Sequence, residues 1–303
     1  DPRSNDQANT IERKAGLART FKVCAEELIA TLKTQHKSAK AHAQWMSTFE
    51  RYVFPTIGAT PVAQVNVHMI RKILTQDDLW VEKHSTMSRV RGRIERVLGY
   101  AAVMGWRSVE NPARFSNFLS EVLPKRLGSM KVTHHPALPY QELPAFMKML
   151  RSQPESMSSL ALEFLILTGC RTSEVIGARW DEIDADGSTF TVPASRMKAG
   201  KEFRVPLSRD AQAIVGRLRG YSESEFLFRG MRFKKPLSNM ALLQYMRGFE
   251  EKGLLAQHVV PHGMRATFRM FMAEQTDFSR ELAEMSLAHS LPSKVEASYQ
   301  RAD

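Results

Sequence analysis

A chain of 303 residues, 43% hydrophobic and 25% charged, has the composition of a globular protein and the length for about two domains, which argues against disorder over most of its extent. Its 43 Lys and Arg against 32 Asp and Glu leave a net charge of +11, which favours a polyanionic partner, nucleic acid or an anionic membrane face, over a merely soluble basic protein. Two cysteines, Cys24 and Cys170, exclude a disulfide framework and a Cys-rich zinc site and fit a reducing, intracellular compartment. No apolar run reaches the roughly 18–20 residues of a membrane span. The opening Asp1-Pro-Arg-Ser-Asn-Asp6 is no signal peptide, and the missing initiator Met is what a fragment shows.

Residues 1–19 are polar, without periodicity, and read as a linker or arm remnant. A helix starts after Thr20 as N-cap, with Phe21, Ala25, Leu28 and Leu32 on one face. A second carries Trp45, Phe49, Tyr52 and Val53 and stops before Pro55; a third spans about 65–75. The fourth, about 85–104, has an apolar stripe of Met87, Val90, Ile94, Val97, Leu98 and Ala101. Arg89, Arg93 and Arg96 recur on a separate face, where they could track phosphates or, more blandly, form a solvated face with an Arg–Glu95 pair. Asn111-Pro112 closes this helical half, a domain of residues 20–118. Residues 119–138, rich in breakers and charge, form the interdomain linker, and His134-His135 within it suit a linker better than a metal.

From 139 to 303 the pattern alternates. Helices fit about 141–151 and 156–167, Gly169 breaks the chain, and Thr172-Ser173-Glu174 starts another. Two strand-like runs, 189–192 and 203–207, flank the basic segment Arg196-Met197-Lys198-Ala199-Gly200-Lys201 and predict a β-hairpin with a lysine-bearing loop. Helices follow at about 209–219, 239–252, 263–274 and 280–287. The fold class expected is mainly α with a small β-hairpin sheet.

Several common sites are absent: there is no G-x-x-x-x-G-K-[ST] loop, no G-x-S-x-G and no H-E-x-x-H. The acidic run Glu182–Gly187 opens like a calcium loop, but Pro193 occupies the place of its closing Glu, so a polar hairpin turn explains it better and nothing demands a metal or cofactor. What remains is a set of cations and proton carriers. Arg171 sits at a helix start, where a guanidinium opposes the helix dipole unless an anion binds there. His262 and Arg265 stand three apart at another helix start, and His289 precedes Tyr299 by ten residues. Together these residue types suit phosphodiester cleavage. Two arginines hold the non-bridging oxygens, a Tyr hydroxyl attacks, and a Lys or His protonates the leaving 5′ oxygen.

Four stretches in this order, 168–184, 192–208, 261–267 and Leu287-Ala-His-Ser290 leading to Ala297-Ser-Tyr-Gln-Arg301, resemble the catalytic domain of the tyrosine recombinases, specifically phage and genomic-island integrases. The match of order and spacing from Thr168 to Arg301 is specific as a whole; no single piece is. More loosely, the Thr20-Phe21 opening, Phe54–Gly58 and Asn111-Pro-Ala113 resemble the family's helical core-binding domain.

The resemblance implies that Arg171 and Arg265 clamp the scissile phosphate and that Tyr299 is the nucleophile. It further implies that His262 assists proton transfer from the tyrosine, that His289 hydrogen-bonds the phosphate, and that Lys198 is the general acid, with Lys201 as rival on the same loop. Glu174 then orients Arg171 or its helix, and Tyr221 and Tyr245 are packing or surface tyrosines. Arg89, Arg93, Arg96, Lys37, Lys40 and Lys201 are expected to approach DNA, with the two domains forming a clamp around the duplex. The implied partners are double-stranded attachment sites, four protomers on two duplexes, and DNA-bending and directionality accessory proteins. No membrane, metal or ATP is involved, and the setting is a bacterial or phage-encoded protein at the nucleoid. Two features depart from the family pattern: no small arm-binding domain is visible before Asp1, as expected of a truncated chain or of one that never had it, and only four residues follow Tyr299 where relatives often carry a tail that docks on a neighbouring protomer. The reading is an integrase of a mobile element. Its rivals are a tyrosine-type topoisomerase and a non-catalytic DNA-binding protein of the same fold.

Overall fold

A computed structural model describes residues 19–35, 39–124, 135–221, 224–232 and 234–288. The chain divides between Lys131 and Val132 into two compact units, each with its own core.

The first unit is helical: α1 (Phe21–Gln35), α2 (Ala39–Tyr52), α3 (Val67–Thr75) and α4 (His84–Val103). The apolar stripe of α4 is the face it buries, from Met87 to Ala101. Phe21 of α1 meets Phe49 of α2 edge to face at 5.9 Å. Each such fully buried side chain contributes about 1.5–3 kcal/mol relative to exposure. The second helix ends at Tyr52, before Pro55 as expected, and three local features shape the turns of this unit. Pro55 sits in the first turn of a one-turn helix, Phe54–Ile57, where its missing N–H is no loss. The third helix begins at Val67 because the Asn66 side chain accepts from the His68 and Met69 amides at 3.1 and 3.2 Å. Between α3 and α4, Asp77 and Asp78 both adopt left-handed backbone, φ 48° and 53°, and the reversal seats Trp80 of another one-turn helix in the core.

The second unit is built around α6 (Met157–Thr168), which is buried on almost every side. Ser156 caps it in a reciprocal box with Ser159, and Gly169, at φ 62°, ends it in the left-handed conformation glycine tolerates. Packed about this core are α5 (Leu143–Ser152), the short α7 (Thr172–Ile176), α8 (Arg209–Leu218), α9 (Ala241–Glu251), α10 (Gly263–Gln275) and α11 (Arg280–Ser286). Strands β1 (Thr189–Val192) and β2 (Phe203–Pro206) pair antiparallel, with Phe190 opposite Val205. The acidic run before β1 is a turn: Asp184 accepts from the Thr189 amide at 2.9 Å, and Asp186 from the Ser188 amide at 2.8 Å. The Thr189 bond holds the Asp184 carboxyl well below its usual range. Among the described residues, no helix is long and apolar enough to cross a membrane.

The segment Pro136–Leu138 lies against the start of α10. Its Pro136 carbonyl accepts from the Val260 amide at 3.2 Å, and its Leu138 carbonyl from the Thr267 hydroxyl. A Cβ on Gly263 would stand 2.0 Å from the Pro136 oxygen, backbone against backbone. Gly263→Ala is therefore expected to cost about 1–3 kcal/mol, a drop of roughly 2–12 °C in the melting midpoint. An unchanged melt by differential scanning calorimetry would contradict this packing.

Candidate active site

Two arginines from different helices converge where α6 ends. Arg171 is the N-cap of α7, a poor place for a cation, and Glu174 three residues on compensates. Glu174 Oε2 accepts from the Arg171 amide at 2.7 Å, and Oε1 accepts from Nη1 at 2.8 Å. Glu174 is 2% exposed, so the pair is largely shielded from water. Arg171 Nη2 donates to the Ala288 carbonyl at 3.1 Å. Arg265, in the first turn of α10 and 4% exposed, donates through Nη1 to the Gly169 carbonyl and through Nη2 to the Leu287 carbonyl. Burial first, then the neighbouring Arg171 charge, pull the Arg265 guanidinium below its ordinary pKa. Arg171 is paired with the Glu174 carboxylate, whereas the two bonds that Arg265 makes to Gly169 and Leu287 are to neutral carbonyls, and planar guanidiniums so fixed are suited to bind an oxyanion.

The same contacts fix the backbone that follows α11. Ala288 has left-handed φ, 49°, a strained conformation for alanine that its bonded carbonyl holds in place. His289 and Tyr299 lie outside the described residues, on the chain that continues from this point. His262 is the exposed N-cap of α10, on the same turn as Arg265, and its ring meets that of His135 edge to face at 4.6 Å. Lys198 and Lys201 are both exposed on the loop joining β1 to β2. Cys170, beside Arg171, is 1% exposed and burial pushes its thiol up to about 12, so it is no thiolate nucleophile at neutral pH. Tyr245 packs on Phe249 at 5.0 Å with its hydroxyl raised by burial, a core role. Among the described residues, no cluster of three or more His, Cys, Asp or Glu is arranged to hold a metal.

In the first unit, Arg89 and Arg96 are exposed on α4. Arg93 between them is committed to α2: it donates to the Gln44 carbonyl at 3.0 Å and to the Thr48 hydroxyl, and it lies over the Trp45 ring at 5.3 Å. The pair with Glu95 is made by Arg91. Lys37 lies outside the described residues, and so does the side chain of Lys40. Sequence reasoning had no specific role for His135 or for Arg196, which donates to Glu182 and to the Glu174 carbonyl. A basic loop and a linker histidine carry no signal of such contacts.

Residues 137–303 match the phage integrase family, and residues 21–117 match the phage integrase central domain. The integrase of Enterobacteria phage P4 is 30% identical over 300 residues, covering 93% of this chain and 65% of that protein. The prophage integrase IntZ of Escherichia coli (strain K12) is 28% identical over 287 residues, covering 94% and 67%. This chain thus spans 65% of the length of the phage P4 relative. Its fold is shared with a lambda integrase tetramer bound to a Holliday junction, at a TM-score of 0.70 and 16% identity, covering 94% of this chain and 82% of that one. It is also shared with the Tn1549 transposon integrase (residues 82–397) in complex with circular intermediate DNA, at 0.64 and 18%, covering 94% and 96%.

Proposed function

The chain belongs to the phage integrase family, and we propose on that premise that it is a site-specific DNA recombinase that integrates and excises a mobile element through a 3′-phosphotyrosine intermediate. The convergence of Arg171 and Arg265, one buried and both tethered to the same backbone, is the observation that carries this reading.

In the proposed reaction the scissile phosphate binds between the two guanidiniums, whose fixed donors stabilise charge on its non-bridging oxygens. The Tyr299 oxygen attacks phosphorus and gives up its proton with the help of His262, while His289 hydrogen-bonds the phosphate. The bond to the 5′ oxygen breaks, and that oxygen takes a proton from Lys198. The products are a 3′-phosphotyrosine and a free 5′ hydroxyl. A 5′ hydroxyl from the partner duplex then attacks the phosphotyrosine, releases the tyrosine and reseals the strand. One phosphoester replaces another at each step, so the exchange needs no ATP. Its partners are two duplex attachment sites and four protomers, with DNA-bending and directionality proteins as accessories, at the nucleoid in the bacterial cytoplasm. Arg89 and Arg96 supply phosphate contacts from the helical domain.

A nicked duplex from the DNA flanking this protein's own gene tests the reading. Wild type is expected to give a covalent protein–DNA band on a denaturing gel, with label retained on the strand ending 3′ at the protein. DNA binding without any covalent band would favour a binding protein of this fold. Relaxation of supercoiled DNA by dilute protein, without strand exchange between paired sites, would favour a topoisomerase. Within the reaction, Lys198→Ala is expected to slow single-turnover cleavage by about 10²–10⁴-fold, the range of a lost general acid, and Lys201→Ala far less. The reverse order would move the proton donor to Lys201.

A further inference from the structure

The lysine loop is not a loose connection. Arg196, two residues before Lys198, donates through Nη1 to Glu182 Oε2 and through Nη2 to the carbonyl of Glu174. Glu182 is 8% exposed, and its Oε2 also accepts from the Arg179 amide at 3.0 Å. The guanidinium also abuts Gly177: a Cβ there would lie 3.1 Å from Nη2 and 3.4 Å from Cζ. Met197, the next residue, is 7% exposed. Arg196 therefore ties the loop to the turn Trp180–Glu182 and to α7, the helix that Arg171 begins. Lys198 is the first exposed residue past this anchor, whereas Gly200, at φ 66°, separates it from Lys201.

A lysine has a long, flexible stem. It serves as a general acid only if its root is placed so that the ammonium reaches the leaving oxygen. The phosphate is held by Arg171, so the lysine must be registered to α7, and the bond from Arg196 to the Glu174 carbonyl is a direct link between them. We propose that Arg196 is a positioning residue that locks the loop onto the arginine clamp and thereby presents Lys198 to the leaving 5′ oxygen. This rests on the strand-transfer reading above.

The test uses two nicked duplexes from the DNA flanking the gene that differ in one atom, oxygen or sulfur at the 5′ bridging position. A thiolate leaves without a proton, so the sulfur substrate bypasses the general acid. Arg196→Met in the full chain is expected to cleave the oxygen substrate about 10²-fold more slowly than wild type and the sulfur substrate at close to the wild-type rate, as Lys198→Ala should. Arg196→Lys, which keeps the charge beside Glu182, should show a smaller defect rescued in the same way. An equal defect on both substrates would overturn the proposal, since Arg196 would then act through Arg171 or the fold. Wild-type rates on the oxygen substrate would overturn it too, as would failure of both variants to melt as folded proteins. A wild type that forms no covalent product with either substrate would overturn the strand-transfer reading itself.

Discussion

Tyr299→Phe is expected to end covalent adduct formation, lowering cleavage by more than roughly 10³-fold, while duplex binding measured by gel shift stays near wild type. The substitution removes one oxygen and leaves the ring and the cationic surface, so binding and chemistry should separate cleanly. Among the described residues, two other candidate nucleophiles are unsuited to replace it. Cys170 adjoins Arg171 in sequence, but its buried thiol at about 12 is protonated at working pH. Tyr245 is spent on packing against Phe249. Adduct formation by the Phe variant at an appreciable rate would remove the tyrosine from the mechanism.

The second large effect is expected at the clamp. Arg171→Lys keeps the charge but loses the planar fork that bonds Glu174 and the Ala288 carbonyl together. Cleavage should fall by about 10²–10³-fold, comparable to losing one preorganised oxyanion donor. Arg171→Ala should fall further, because it removes the cation altogether and takes from the buried Glu174 carboxylate its ion-pair partner, leaving it the bond from the amide of residue 171. Binding should change little in either variant. Duplex affinity is spread over many phosphate contacts, of which this is one. Parallel loss of binding and cleavage in Arg171→Lys would assign Arg171 to DNA affinity instead of the reaction.

The elements that were legible in the amino-acid pattern are those whose cause is local. The α4 stripe repeats with the helical period, so its buried face could be read directly. Arg171 and Glu174 are three residues apart at a helix start, which is close enough to expect their pairing. Other features depend on partners far along the chain. Arg93 looks like its neighbours Arg89 and Arg96 until Gln44 and Thr48 of α2 are seen to hold it. Arg196 reads as one more cation in a basic loop, because Glu182 and the Glu174 carbonyl are distant in sequence and one of them is a backbone atom. The reversal at Asp77 and Asp78 contains no glycine or proline to announce it. His289 and Tyr299 were singled out by residue type and order, and they lie outside the described residues.

The most direct test is to identify the atom that carries the DNA. The trapped adduct would be digested with nuclease and trypsin, and the peptide of residues 295–301, Val-Glu-Ala-Ser-Tyr-Gln-Arg, examined by tandem mass spectrometry. The account predicts a nucleotide joined through its 3′ phosphate to Tyr299, with fragment ions that leave Ser298 unmodified. A nucleotide on Ser298, on another peptide, or joined through a 5′ phosphate would contradict it.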